Sequence, residues 1–154
     1  MSCFVDPSTI IAQAYDHLEP GGWLELQDGI FPFEYVGEKP VNSALYKWNE
    51  YVLQGAEASG RSWTNVKHYK RWMEDAGFED VEERRFYWPL SSWAKGQYYK
   101  TISAYFQEDI HGGVEAISFR VLSRLGWSAE KIKEFLDEVR KDVRDTSIHA
   151  YLNM

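Results

Sequence analysis

The imidazole and thiol side chains, which serve most readily in acid–base, nucleophilic or metal chemistry near neutral pH, are few in this 154-residue sequence: four histidines and one cysteine. His17, His68, His111 and His149 are scattered, and no two stand at i, i+4, the spacing that puts two imidazoles on one helical face to hold zinc. No metal site is expected. Cys3 has no basic neighbour in sequence to stabilise a thiolate, and as the only cysteine it forms neither an intrachain disulfide nor a thiolate cluster. His111 stands out because it lies in Glu108-Asp109-Ile110-His111-Gly112-Gly113. Glycines there would let backbone approach a ligand, and a neighbouring carboxylate could fix the imidazole tautomer and favour its charged form. The same residue also fits a helix C-terminus facing solvent, near the negative end of the dipole. His149, in an apolar strand-like context, reads as a structural histidine.

Seven Trp, ten Tyr and eight Phe make the chain unusually aromatic, at 16%. Such a density either thickens a small core or lines a cleft or interface. The net charge of −7 argues against a nucleic-acid partner, which needs a concentrated cationic face. The basic stretches Lys67-His68-Tyr69-Lys70-Arg71 and Arg84-Arg85 have acids close by and read as solvated faces. No apolar run approaches the roughly 18 residues that suggest a membrane span. The start of the chain lacks the basic region and apolar core of a signal peptide. A soluble, cytoplasmic chain forming a single domain over residues 1–154 is expected, with no membrane partner.

The elements that must position these groups follow from pattern. Asp6-Pro7-Ser8 offers a helix start, and Ile10, Ile11, Ala14, Tyr15 and Leu18 form one apolar stripe ending at Pro20-Gly21-Gly22. Trp23 to Asp28 alternates as a strand, and Phe31 to Pro40 reads as an irregular loop. Asn42 is placed to cap a helix from Ser43 to about Ala58, with Leu45, Trp48 and Val52 on its inner stripe. Thr64 or Asn65 starts a helix through Ala76, with Gly77 as its left-handed end. A strand is expected from about Val81 to Trp88, stopped by Pro89. Three helices follow, over roughly 96–110, 113–125 and 129–143, with Ser128 as the N-cap of the last. Ser147 to Met154 is a final short strand candidate.

Four stretches carry a resemblance. Leu18-Glu19-Pro20-Gly21-Gly22-Trp23-Leu24-Glu25-Leu26-Gln27-Asp28 resembles the helix–turn–strand step in the second half of class I S-adenosylmethionine-dependent methyltransferases. Gly60-Arg61-Ser62-Trp63 precedes a helix ending Met73-x-x-Ala76-Gly77-Phe78-x-x-Val81. Trp88-Pro89-Leu90 leads towards Trp93. Gly126-Trp127-Ser128 opens the helix that runs to Asp145-x-x-Ile148-His149-Ala150-Tyr151. In this order they make the chain similar, over essentially its whole length, to the C-terminal half of the fungal LaeA-like methyltransferases. The Gly-x-Gly-x-Gly loop of that family is absent from this sequence, as is the acidic residue that ends the second strand and holds the cofactor ribose. Gly21-Gly22 precedes a strand and His111-Gly112-Gly113 separates helices, whereas a cofactor loop must leave a strand and open a helix. No cofactor is therefore expected to bind.

The resemblance implies an α/β fold: a truncated class I methyltransferase-like (Rossmann-like) arrangement of about three strands with five to six helices. It also implies that the Trp23–Asp28 strand is central and has lost the neighbour on its outer edge. An open edge invites pairing with another chain, so a homodimer or a complex with a methyltransferase-like subunit is expected. Substrate in such enzymes lies at the carboxyl ends of the central strands, which places Gln27 and Asp28 there. Trp63, Trp88, Trp93, Tyr98 and Tyr99 are the aromatic residues available to the cleft. Asp28 could serve as a general base or hydrogen-bond acceptor, or simply cap a loop turn; with His111 it is the candidate catalytic pair. Glu25 reads as a strand residue or a partner for Arg61. The functional expectation is a methyltransferase-derived protein that binds a small, largely apolar metabolite. It would promote a cofactor-independent cyclisation, pericyclic reaction or isomerisation in natural-product biosynthesis. The alternatives are a fragment or subunit of an active methyltransferase, or a non-catalytic regulatory partner of one.

Overall fold

The computed structural model describes residues 4–154, so Cys3 lies outside the described residues. Asp6 caps the first helix, α1 (Pro7–His17): its Oδ1 accepts from the Ser8 amide at 3.0 Å, and Pro7, whose missing N–H costs nothing in a first turn, follows. Ser43 rather than Asn42 caps α2 (Ala44–Ala58), its Oγ accepting from the Tyr46 amide at 3.1 Å. The expected helix before Gly77 divides into a 3-10 turn (Asn65–His68) and α3 (Tyr69–Ala76), closed by Gly77 at φ 107°, where only glycine is unstrained. α5 (Ala129–Arg144) begins at Ser128 as the sequence requires, with the Ser128 Oγ accepting from the Lys131 amide at 3.2 Å.

Three short strands form one antiparallel sheet: β1 (Ile30–Tyr35), β2 (Tyr87–Pro89) and β3 (Ala150–Asn153), in the order β1-β3-β2. The last strand in sequence is thus the central one. Tyr151 pairs with Glu34 on one side and with Pro89 on the other. The β1–β3 register shifts between Ile30 and Glu34, the stretch in which Pro32 has no N–H to give the ladder. Asn49 compensates from α2. Its Oδ1 accepts from the Phe33 amide at 3.1 Å, and its Nδ2 donates to the Leu45 carbonyl and the Tyr35 hydroxyl. Burial pushes the Tyr35 phenol above its ordinary range.

The helices α2, α5 and the long α4 (Gln97–Arg124) pack with the sheet around one core that includes Leu45, Trp48, Val52, Phe106, Val114, Leu122, Leu136 and Val139. Trp48 is fully buried and donates its indole Nε1–H to Ser118 Oγ at 2.7 Å, while the Ser118 hydroxyl donates to the Val114 carbonyl. α2 and α4 cross at Gly55, where any Cβ would collide with the Val121 carbonyl. α1 and α3 pack on one another, with Tyr15 edge-on to Phe78 at 5.0 Å.

Three expectations from sequence are corrected. Trp23–Asp28 is not a strand; it pairs with nothing in a sheet, and Trp23 is 90% exposed. Its side chains still alternate, with Leu24, Leu26 and Asp28 half-buried and Trp23, Glu25 and Gln27 exposed, but a strand exists only where a ladder satisfies its backbone. The supposed loop after it supplies β1 instead. Second, the expected strand over Val81–Trp88 shrinks to β2, extended by the Phe86 and Met154 backbones exchanging 2.8 Å hydrogen bonds. Third, Gly112-Gly113 does not separate two helices. α4 runs through as one helix of 28 residues. Burial of Ile110, Val114, Ser118 and Val121 along it outweighs the roughly 1 kcal/mol that each interior glycine costs. The structure is α/β with five α-helices and an antiparallel three-stranded sheet; a parallel Rossmann-type sheet is not formed by the described residues. No helix among them is long and apolar enough to cross a membrane.

Candidate functional site

A hollow of about 190 Å³ opens where the segment entering β1 meets the turn before α3. Asp28, Gly29, Phe31, Ser62, Trp63, Val66, Tyr69 and Ile117 line it. Its floor is aromatic: Phe31 meets Trp63 edge-on at 5.2 Å and stacks on Phe33 at 5.5 Å, which ties the floor to the core. Its carboxylate is Asp28. The Tyr69 hydroxyl donates to Asp28 Oδ2 at 2.9 Å, and the Gly29 amide donates to Oδ1 at 3.0 Å. Tyr69 is buried, so this carboxylate is held from below by a fixed donor. On the other rim Ser62 hydrogen-bonds both Glu57 and Thr64.

Asp28 and Trp63 are thus the two sequence-derived candidates that the fold brings to one cavity. Gln27 is adjacent in sequence but exposed, its Nε2 donating to Glu25 Oε1 at 2.8 Å. Trp88 packs edge-on against Phe106 in the core at 5.5 Å. Trp93 donates its indole N–H to the Ala150 carbonyl at 3.0 Å and stacks over His149 at 5.0 Å. Tyr98 and Tyr99 pack on each other at the start of α4. His111 lies in mid-helix, half-buried, with its carbonyl accepting from Arg140 Nε at 3.4 Å. None of these six residues lines the cavity, so Asp28 and His111 do not share a site there.

Sequence reasoning missed Tyr69, Val66 and Phe31. Tyr69 was hidden in a basic run; Val66, Tyr69 and Met73 at i, i+3 and i+7 were the available signal of an inner face. Phe31 sits in what reads as a loop. A second hollow, wider and more open, lies between α2 and α5 and is lined by Lys47, Tyr51, Trp127, Lys131 and Phe135 among others. The three rings there pack edge-to-face, and the Lys131 ammonium stands 4.0 Å from the Trp127 ring. Among the described residues no cluster of His, Cys, Asp and Glu could hold a metal.

No family model matches the sequence, and no solved structure matches it. Curated relatives do. Methyltransferase pytC of Aspergillus terreus is 31% identical over 143 residues, covering 92% of this chain and 44% of the relative. The chain is similar to part of that methyltransferase. Probable methyltransferase tdiE of Emericella nidulans is 28% identical over 149 residues, 96% of this chain and 47% of its own length. The secondary metabolism regulator laeA of Monascus pilosus is 26% identical over 145 residues, 93% and 40% respectively. The chain therefore spans less than half the length of these LaeA-like relatives. At such identity their similarity supports a methyltransferase-like origin for an α/β chain whose described sheet is antiparallel.

Proposed function

We propose that this chain is a methyltransferase-derived protein of natural-product metabolism that takes a small, largely apolar metabolite into the Asp28–Trp63 hollow. The observation that carries this reading is the hydrogen bond from buried Tyr69 to Asp28 beside an aromatic floor, a preorganised acceptor in an apolar setting. The names of the relatives, methyltransferases and regulators of secondary metabolism, support the setting. At about 190 Å³ the hollow is smaller than the about 300–1,000 Å³ typical of sites that enclose a drug-sized ligand, so it fits one ring or an isoprenoid-sized portion of a larger molecule. Asp28 would accept a hydroxyl or enol proton while Phe31 and Trp63 hold the carbon skeleton in a reactive conformer. Positioning and one well-placed acceptor suffice for a cofactor-independent cyclisation, pericyclic step or isomerisation. His111, Trp88, Trp93, Tyr98 and Tyr99 do not line this hollow.

A second reading is favoured by one observation: Trp23–Asp28 keeps the side-chain alternation of a strand but has no sheet partner, and Trp23 is almost wholly exposed. In that reading the chain is part of, or a subunit beside, a S-adenosylmethionine-dependent methyltransferase. Titration calorimetry separates the two. Under the first reading S-adenosylmethionine does not bind, while an apolar ring compound quenches tryptophan fluorescence in the parent chain and not in Trp63→Ala. Micromolar binding of S-adenosylmethionine by this chain, with no ring-compound quenching, sinks the first reading.

A further inference from the structure

α2 and α5 pack antiparallel. The Leu45 amide at the start of α2 donates to Asp142 Oδ2 near the end of α5 at 2.9 Å, and Tyr51, further along α2, meets Phe135 edge-on at 5.7 Å. The hollow between the two helices measures about 530 Å³, inside the about 300–1,000 Å³ of small-molecule sites and well above the hollow at Asp28. Its floor is aromatic. Tyr51, Trp127 and Phe135 are half-buried, and each packs edge-on against the other two at 4.9–5.7 Å, so the rings hold one another in place.

The polar groups around this floor divide by role. The carboxylates and the Ser43 hydroxyl each have a protein donor. Glu138 Oε1 accepts from Lys141 Nζ at 2.6 Å, Asp142 Oδ2 from the Leu45 amide, and Ser43 Oγ from the Tyr46 amide at 3.1 Å. Four donors have no acceptor. Among the described residues Lys47 and Lys131 form no ion pair. The Tyr51 hydroxyl and the Trp127 indole N–H make no hydrogen bond there, and both reach solvent. The Lys131 ammonium stands 4.0 Å from the Trp127 ring, a contact that steadies the cation and leaves its N–H groups available. Lys47 comes from the opposite wall, one turn before Tyr51 on α2.

We propose that this hollow is a second binding site, for a small aromatic carboxylate. The ring lies on the Tyr51–Trp127–Phe135 floor, and the carboxylate is drawn to the ammoniums of Lys47 and Lys131, which have no other anion. Charge sets the preference: a cationic analogue would meet two unpaired ammoniums and carboxylates that are already engaged. The site is separate from the Asp28–Trp63 hollow, and its occupancy does not depend on what that hollow binds.

Titration calorimetry with phenylacetate, phenylacetamide and phenethylamine tests it, with amide NMR spectra to locate the contact. Phenylacetate is expected to bind more tightly than the neutral amide, and the amine not to bind. The amides of Tyr51, Lys131 and Phe135 are expected to shift, and those of Val66 and Tyr69 to stay in place. Lys47→Gln/Lys131→Gln is expected to weaken phenylacetate by about tenfold or more, the effect of losing a charge-assisted hydrogen bond, with helical circular dichroism unchanged. Lys95→Gln/Lys100→Gln, which removes the same charge near the start of α4, is expected to change binding little. The proposal is overturned if phenylacetate does not bind at millimolar concentration or if the amine binds as well as the acid. It is equally overturned if the shifts fall at Val66 and Tyr69, or if the two double variants behave alike.

Discussion

The Tyr69 hydroxyl donates to Asp28 Oδ2 at 2.9 Å across 41 residues of sequence, joining the first residue of α3 to the segment that enters β1. A buried phenol thereby fixes a half-buried carboxylate at the mouth of an aromatic hollow. Hydrogen bonds to a charged acceptor contribute about 1.5–3 kcal/mol. Tyr69→Phe is therefore expected to lower unfolding stability by about that much in urea titration, and to weaken binding of hydroxylated ring compounds more than that of their deoxy analogues. Equal weakening of both would show that Asp28 does not receive the hydroxyl.

Glycine-to-alanine changes at two helical positions should have opposite signs. At Gly55 the new methyl runs into the Val121 backbone, so α2 and α4 must separate, at a cost of about 1–3 kcal/mol or more. At Gly112 the space is open, and alanine should stabilise the folded chain by about 1 kcal/mol through helix propensity. Thermal unfolding of the two variants checks the contrast.

Two buried serines make a second opposed pair. Ser118 receives the Trp48 indole N–H, and Ser118→Ala strands that donor in the core, which should cost about 1–3 kcal/mol. Ser91 Oγ is buried with no hydrogen-bond partner, so Ser91→Ala removes an uncompensated hydroxyl and should leave stability unchanged or raised. Chemical denaturation of both variants decides it.

Alkaline stability should report on the pair that ties the sheet's edge to its centre. Tyr151 donates to Glu34 Oε2 at 2.6 Å, and chiefly that bond, with some burial, pushes its phenol from 10.0 up to about 12. The proton is held more tightly folded than unfolded, so the stabilisation is complete below pH 10 and is lost as pH rises towards about 12. The stability difference between the parent and Tyr151→Phe is expected to shrink across that window and to be constant from neutral pH to 9; a difference independent of pH would exclude the linkage.

Local chemistry carried much of the fold. Asp6-Pro7 and Ser128 mark helix starts, and Gly77 marks an end, through caps and φ preferences that act within a few residues, so α1, α5 and the end of α3 were legible. What needed a partner was not. Trp23–Asp28 has a strand's alternation and no ladder, whereas Ile30–Tyr35 has a proline and joins the sheet because Asn49 and β3 supply its missing bonds. Asp28 and Trp63 were legible as site residues only through their place in motifs; Tyr69 and Ile117 reach the same hollow from α3 and α4, which no spacing reveals.

The sequence by itself determined the relationship to LaeA-like methyltransferases, the α/β composition and the ends of its helices. These rest on residue identity and on interactions between near neighbours. Tertiary structure decided which strand is central, that Gly112-Gly113 stays inside one helix, and that the carboxylate of Asp28 meets Tyr69 rather than His111. Each of those outcomes is a competition between distant segments for backbone partners and buried area, and only the folded chain settles it.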